Sequence, residues 1–264
     1  MCCFSWPVKV VSDTSIFARK VNGRQFLVYG MTYAAATELA MMLPLPVPPN
    51  PSEDAVRFIN LEDYPTLFDD VANGFPPIVR WMSLGLSIPF QAPKLRVHDV
   101  GSFEASFVPH LNDLDRLDER FRIPRDVWDQ IPEYCDYGFA VFKLKRTSFW
   151  GRAWRRRVHA MAFEFPQRDP RRLYFPTVHV HDRTLHAHAS FDHALYYQSA
   201  QPLDDDLVPR KRSATPASAF VDVERTHGII ASDQYCWRVV LRGRLQNRDC
   251  WLGSGGSVPR AGVS

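Results

Sequence analysis

Five of the nine histidines in this chain fall in one fifteen-residue run, from His179 to His193. The run reads His179-Val180-His181-Asp182-Arg183-Thr184-Leu185-His186-Ala187-His188, with Asp192 and His193 following a short break. Side chains of a β-strand alternate between faces, so His179 shares a face with His181, and His186 with His188. A two-residue turn at Arg183-Thr184 would set His181 opposite His186 and His179 opposite His188. Directly opposed Cβ atoms of an antiparallel pair lie roughly 5 Å apart. The four imidazoles would then form a square on one hairpin face, close enough to share one metal ion.

Neutral imidazole is a good ligand for zinc, copper, iron or manganese, and the spacing does not choose among these divalent metals. A catalytic site takes three protein ligands and leaves a position open, whereas a structural zinc site closes four. His193 adds a fifth candidate ligand. Asp182 or Asp192 could orient a ligand ring from behind. The sequence therefore predicts a metal-binding protein, with an enzyme that activates water for hydrolysis or dioxygen for oxidation as its leading form. Asp192 and Glu164 are the candidate general bases, and the substrate would be a small molecule or peptide. The plainer alternative is a non-enzymatic binding module that presents the hairpin as a polar recognition face. A three-residue turn would throw the two pairs onto opposite faces and dissolve the square.

Cys2 offers a second chemistry. Removal of Met1 would leave a thiol beside a free amine, which can accept the thiol proton, and the result would be an amidohydrolase or transferase. Class II glutamine amidotransferases begin with Met-Cys, but they continue with glycine where this chain has Cys3-Phe4. The plainer reading of Cys3-Phe4-Ser5-Trp6 is an apolar first strand. A Cys2 thiolate could also join the histidines as a soft ligand. Arg146 to Arg157 interleaves arginine with tryptophan, which suits either a phosphate clamp or a solvated loop. His98-Asp99 and His227 are isolated and read as structural. Nucleotide-loop, GxSxG, HExxH and paired CxxC motifs are absent from the sequence.

The elements that must hold these residues read mostly as strands. Ser15 to Val21 and Arg24 to Tyr33 flank Asn22-Gly23, a strong hairpin-turn signal. Glu38 to Val47 is a short apolar run, with Pro44 and Pro46 confining its end to an edge or bulge. Leu61 to Asn73 has helical periodicity and stops at Gly74. Lys94 to Val108 is extended, and Asn112 to Arg122 and Arg125 to Tyr134 read as short helices split by Pro124. Gly138 to Leu144, His159 to Phe165 and Ile229 to Leu245 return to strands, the last with turns expected at Asp233 and Arg242-Gly243. Phe26 to Pro49 and Phe139 to Pro166 share a strand, loop, strand, proline pattern that suggests a duplicated unit. The expected class is α+β: predominantly antiparallel sheet, sandwich-like or as two packed sheets, with a few short helices.

Composition sets the outer bounds. The chain has 264 residues, 45% hydrophobic and 23% charged, with 21 prolines and 13 glycines, which suits short strands. A net charge of +3 argues against nucleic acid as a whole-chain partner. There is no apolar stretch of roughly 18 residues for a membrane span, and no signal-peptide pattern. Five cysteines without a compact spacing imply a reduced, cytoplasmic setting. A single globular domain over 1–252 is expected, with a mobile loop about 204–218 and a disordered tail over 253–264. The Cys-Phe start, Leu43-Pro44-Leu45-Pro46-Val47-Pro48 and Phe175-Pro176-Thr177-Val178-His179-Val180-His181-Asp182 together resemble a family of bacterial proteins without an established activity. The resemblance spans the chain to about Leu252. It implies one bacterial domain rather than a fusion, and adds no mechanism.

Overall fold

A computed structural model describes residues 3–75, 104–146, 148–149, 152–153, 156–199, 203 and 209–260. Cys2, His98-Asp99 and the acidic half of the 204–218 stretch lie outside the described residues. The first half forms strands β1 (Cys3–Phe4), β2 (Val10–Val21), β3 (Arg24–Ala34), β4 (Leu39–Leu45) and β5 (Arg57–Ile59), helix α1 (Leu67–Asn73) and β6 (Glu104–Val108). Helix α2 (Arg125–Trp128) follows, flanked by short 3₁₀ turns. Then come β7 (Gly138–Leu144), β8 (Ser148–Phe149), β9 (Arg152–Ala153), β10 (Arg156–Arg157), β11 (Met161–Pro166) and β12 (Arg172–Phe175). The last strands are β13 (His188–Gln198), β14 (Arg210–Pro216), β15 (Tyr235–Gln246) and β16 (Cys250–Gly253).

Two sheets carry the fold, one ordered β1-β4-β7-β6 and the other β14-β15-β13-β2-β3-β11-β5 with β10 also on β3. All their pairings are antiparallel except β13 with β2, so the α+β, antiparallel-rich class holds. Asn22 and Gly23 both take positive φ, as a tight hairpin turn requires, and Val21 pairs with Arg24 across it. Every residue of β4 is buried. β1 covers only Met41 and Met42, so Pro44 sits where the β1 side of the strand is no longer paired.

The main core lies between the two sheets and gathers β4 and β7 side chains such as Leu43 and Phe142 against Leu27, Phe163 and Leu195. On the other face of the larger sheet a second core packs α1 and the 217–230 segment over Val28, Ala162 and Tyr196. Gly30 allows this approach, because a Cβ there would stand 2.7 Å from the Phe68 ring. Helix α1 starts at Leu67 rather than Leu61, since Pro65 disfavours helical backbone in the residue before it.

Several expectations fail for tertiary reasons. The proposed repeat runs from the larger sheet to the smaller in β3–β4, but from the smaller to the larger in β7–β11, so its two copies are not equivalent. β15 passes straight through Arg242-Gly243, with Gly243 at φ 94, where a turn was expected. Residues 210–216 of the expected mobile loop form β14 on β15. Residues 253–260 of the expected tail pack back instead. Ser257 bridges Trp251, Val258 is buried, and Gln246 N–H donates to the Arg260 carbonyl.

A histidine-floored candidate site

The expected histidine hairpin does not form. β12 ends at Phe175 and pairs with β16, and His188 opens β13, which pairs with β15. Between them the chain runs irregularly, with Arg183 at φ 64. The reason is a wedge from 60 residues downstream. Asn247 accepts the His179 N–H (2.7 Å) and donates through Nδ2 to the carbonyls of His179 and His186 (2.9 Å each). Its own N–H donates to the Ala187 carbonyl at 2.9 Å. The backbones of the two arms therefore bond to Asn247 and not to each other.

Further contacts fix the first arm. The buried Asp249 carboxylate accepts the N–H groups of Thr177 (2.8 Å) and Val178 (3.1 Å) on one oxygen. Its other oxygen accepts the hydroxyls of Tyr134 and Tyr174, each at 2.6 Å. From the opposite side, Phe4 N–H donates to Val180 O at 2.9 Å and Val8 N–H to His181 O at 3.2 Å. Asp182 holds the tip, accepting Thr184 N–H and pairing with His186 Nε2 at 2.9 Å.

This path replaces the predicted square with a column. The His179 ring lies between His181 (5.2 Å between centroids, 11° between planes) and His193 (5.3 Å, 18°). Phe191 packs on His179 at 4.3 Å, and Phe4 on His181 at 5.6 Å. Thus His179 and His181 do come together, with His193 as the third member. His186 is exposed on Asp182, and His188 stands half-buried at the start of β13 opposite Gln246.

The column is desolvated. Burial depresses the His179 and His193 imidazoles well below their ordinary range, and it brings His181 down to about 4. All three are neutral at pH 7. His193 Nδ1 accepts the Asp192 N–H at 3.2 Å. In contrast, Nε2 of His179 and Nε2 of His181 are buried without a hydrogen-bond partner among the described residues. Both residues line a cleft of about 440 Å³ that His188, Asp182 and Asp192 also border. His179 is only 6% exposed, and its Nε2 is itself buried.

The other candidates fare unequally. Asp192 borders the cleft, but its carboxylate accepts the Asp13 N–H (3.0 Å) at the bulge of β2. Glu164 is absent from the lining and cannot serve there as a base. It lies on β11 between Arg57 and Arg24, 3.0 Å from each, and the Arg57 hydrogen bond holds its carboxyl low. Part of the basic loop is structural: Arg156 and Arg157 pair with β3, and Arg157 binds Asp69 at 2.6 Å. His227 closes a 3₁₀ turn at φ 51. Asn247 and Asp249 were not foreseen. The Asn247-Arg248-Asp249 run is a polar break between apolar strands, which signals a turn and nothing about what it will hold.

Among the described residues, no group of three or more His, Cys, Asp or Glu side chains converges to hold a metal ion. Nor is any helix among them long and apolar enough to cross a membrane. No protein-family model matches the chain, and no curated protein does. Among solved structures it is similar to the crystal structure of baculovirus P35. That alignment covers 96% of this chain and 99% of the other, at 14% identity and a TM-score of 0.47.

Proposed function

We propose that this protein is a binding module whose cleft receives a small polar ligand, with the neutral imidazoles of His179 and His181 as its recognition groups. The observation that carries this reading is the pair of buried Nε2 atoms, without a partner among the described residues, on two histidines that line the cleft. An unmade hydrogen bond on a buried polar atom costs about 1–3 kcal/mol, and a ligand that supplies the partner recovers it. A ligand N–H or O–H group is the best match. The in-plane lone pairs of stacked, near-parallel rings lie in separate planes, whereas metal–nitrogen bonds of roughly 2.0–2.1 Å require convergence.

A transition metal is the second reading. It is favoured by the other donors on the same cleft, His186, His188 and Asp182, and it needs at least one ring to turn. One set of titrations tests both. Imidazole ¹⁵N resonances would be followed while primary-amide and alcohol fragments, and separately Zn²⁺, are added. Binding of fragments that moves the His179 and His181 Nε2 signals, and is lost in His179→Phe/His181→Phe, supports the ligand reading. Stoichiometric zinc uptake lost in the same variant would support the metal instead. If neither probe moves those signals, the cleft has no binding role.

A further inference from the structure

Charge in this molecule is segregated. Most arginines upstream of position 175 are ion-paired, for example Arg57 with Glu164, Arg157 with Asp69 and Arg168 with Asp136. From Arg210 to Arg260 the sequence carries nine basic residues against four acidic ones. None of the basic residues in that stretch makes an ion pair among the described residues. One of the four acids, Asp249, is consumed by its tyrosine and backbone contacts.

The strand period puts four of these nine cations, Lys211, Arg238, Arg242 and Arg244, on one face. Val239 and Leu241 of β15 point into the core, so Arg238, Val240, Arg242 and Arg244 point away from it. Lys211 of β14 stands directly opposite Arg238, an unfavourable like-charge pairing. From Arg238 to Arg244 the stripe runs about 20 Å at the rise of an extended strand. At its centre Val240 is 47% exposed, one of two large exposed hydrophobics among the described residues. Arg238 lies over the Phe75 ring and reaches Tyr196, while Arg242 and Arg244 are exposed. Asp192 is the acid across from Arg242, but it is tied to the Asp13 N–H and makes no ion pair with that arginine.

We propose that this outer face of β14 and β15 docks an extended acidic polypeptide segment. Its carboxylates, spaced two residues apart, would meet Arg242 and Arg244, and a small apolar side chain would cover Val240. A protein segment fits better than a nucleic acid. The stripe has an apolar centre, and among the described residues no exposed aromatic ring stands on it to stack a base.

The test is fluorescence anisotropy on the full-length protein with a labelled decapeptide that alternates glutamate and threonine around one central valine. A lysine-for-glutamate version of the peptide and a labelled 20-nucleotide single-stranded DNA serve as comparisons. The acidic peptide should bind, weaken as salt rises, and lose about tenfold or more in affinity with Arg242→Glu/Arg244→Glu. Lys9→Glu/Lys145→Glu makes the same change in net charge elsewhere and should cost no more than about twofold. The milder Arg242→Gln/Arg244→Gln, checked by an unchanged melting temperature, guards against misfolding and should also weaken the acidic peptide. The proposal is overturned if the lysine peptide binds as well, if the control pair weakens binding equally, or if the glutamine pair folds and binds fully. DNA that binds at least as tightly with the same residue dependence would reassign the face to nucleic acid.

Discussion

Two buried polar clusters stand side by side on the same segment and are built on opposite terms. At Asp249 a carboxylate sits in the core with four donors, two tyrosine hydroxyls and two backbone N–H groups, so nothing is left over. Beyond Val178, buried His179 and half-buried His181 each hold an Nε2 that has no partner among the described residues. Burial also pushes the Asp249 carboxyl up, against the pull of its hydrogen bonds, whereas it pushes the histidines down. A fully satisfied network belongs to the architecture. An unsatisfied one beside a cleft is what the proposed ligand would complete.

The strongest attempt to break this contrast is Asp249→Ala. It strands two tyrosine hydroxyls and two backbone donors, and it should destabilise the fold by roughly 3–5 kcal/mol in urea unfolding. A loss under about 1 kcal/mol would show that the network is not structural. Acidification comes next. Above about pH 6.5 the imidazoles are neutral in both the folded and unfolded chain. Below it the unfolded chain takes up protons that the fold refuses. Stability then falls by about 1.4 kcal/mol per pH unit for each depressed histidine. For His181 the decline ends near its folded value of about 4. Asp249 acts with the opposite sign: its raised carboxyl favours the fold as protons are added, so His179→Phe/His181→Phe should flatten the acid limb and Asp249→Asn should not.

Smaller effects sharpen the comparison. Asn247→Ala removes the wedge between the two arms and should cost about 1–3 kcal/mol, with a fragment affinity that drops although no histidine is touched. Unchanged affinity would mean that the column holds itself. His179→Phe keeps the stacking on Phe191 and removes a buried unsatisfied nitrogen. It should raise stability by up to about 1 kcal/mol while it abolishes cleft binding, a gain expected of a functional group and not of an architectural one. At the bottom of the scale, exposed His186→Ala should stay within about 0.5 kcal/mol of the parent.

How much of this was legible in the sequence divides by range of interaction. Asn22-Gly23, the apolar run of β4 and the stop at Gly74 are decided by residues within a few positions, and all three appear as read. The histidine run was read as one cluster, and His179 and His181 do share one environment. Its partner geometry was misread, because parity arguments assume that adjacent arms pair with each other. The start of α1 moved for a local reason, Pro65, that periodicity alone passes over.

By itself, then, the sequence determined the antiparallel-rich class, the first hairpin and the concentration of imidazole between positions 179 and 193. Side-chain alternation and turn chemistry act within a single strand or turn, so they can be read along the chain. Only the tertiary structure decided that His193 and not His186 would complete the group, and that Arg238, Arg242 and Arg244 would lie on one open face. Those outcomes depend on which distant strand supplies the hydrogen bonds. Here Asn247 and Asp249, some 70 residues beyond the histidines they position, supply bonds that the two arms would otherwise have made to each other.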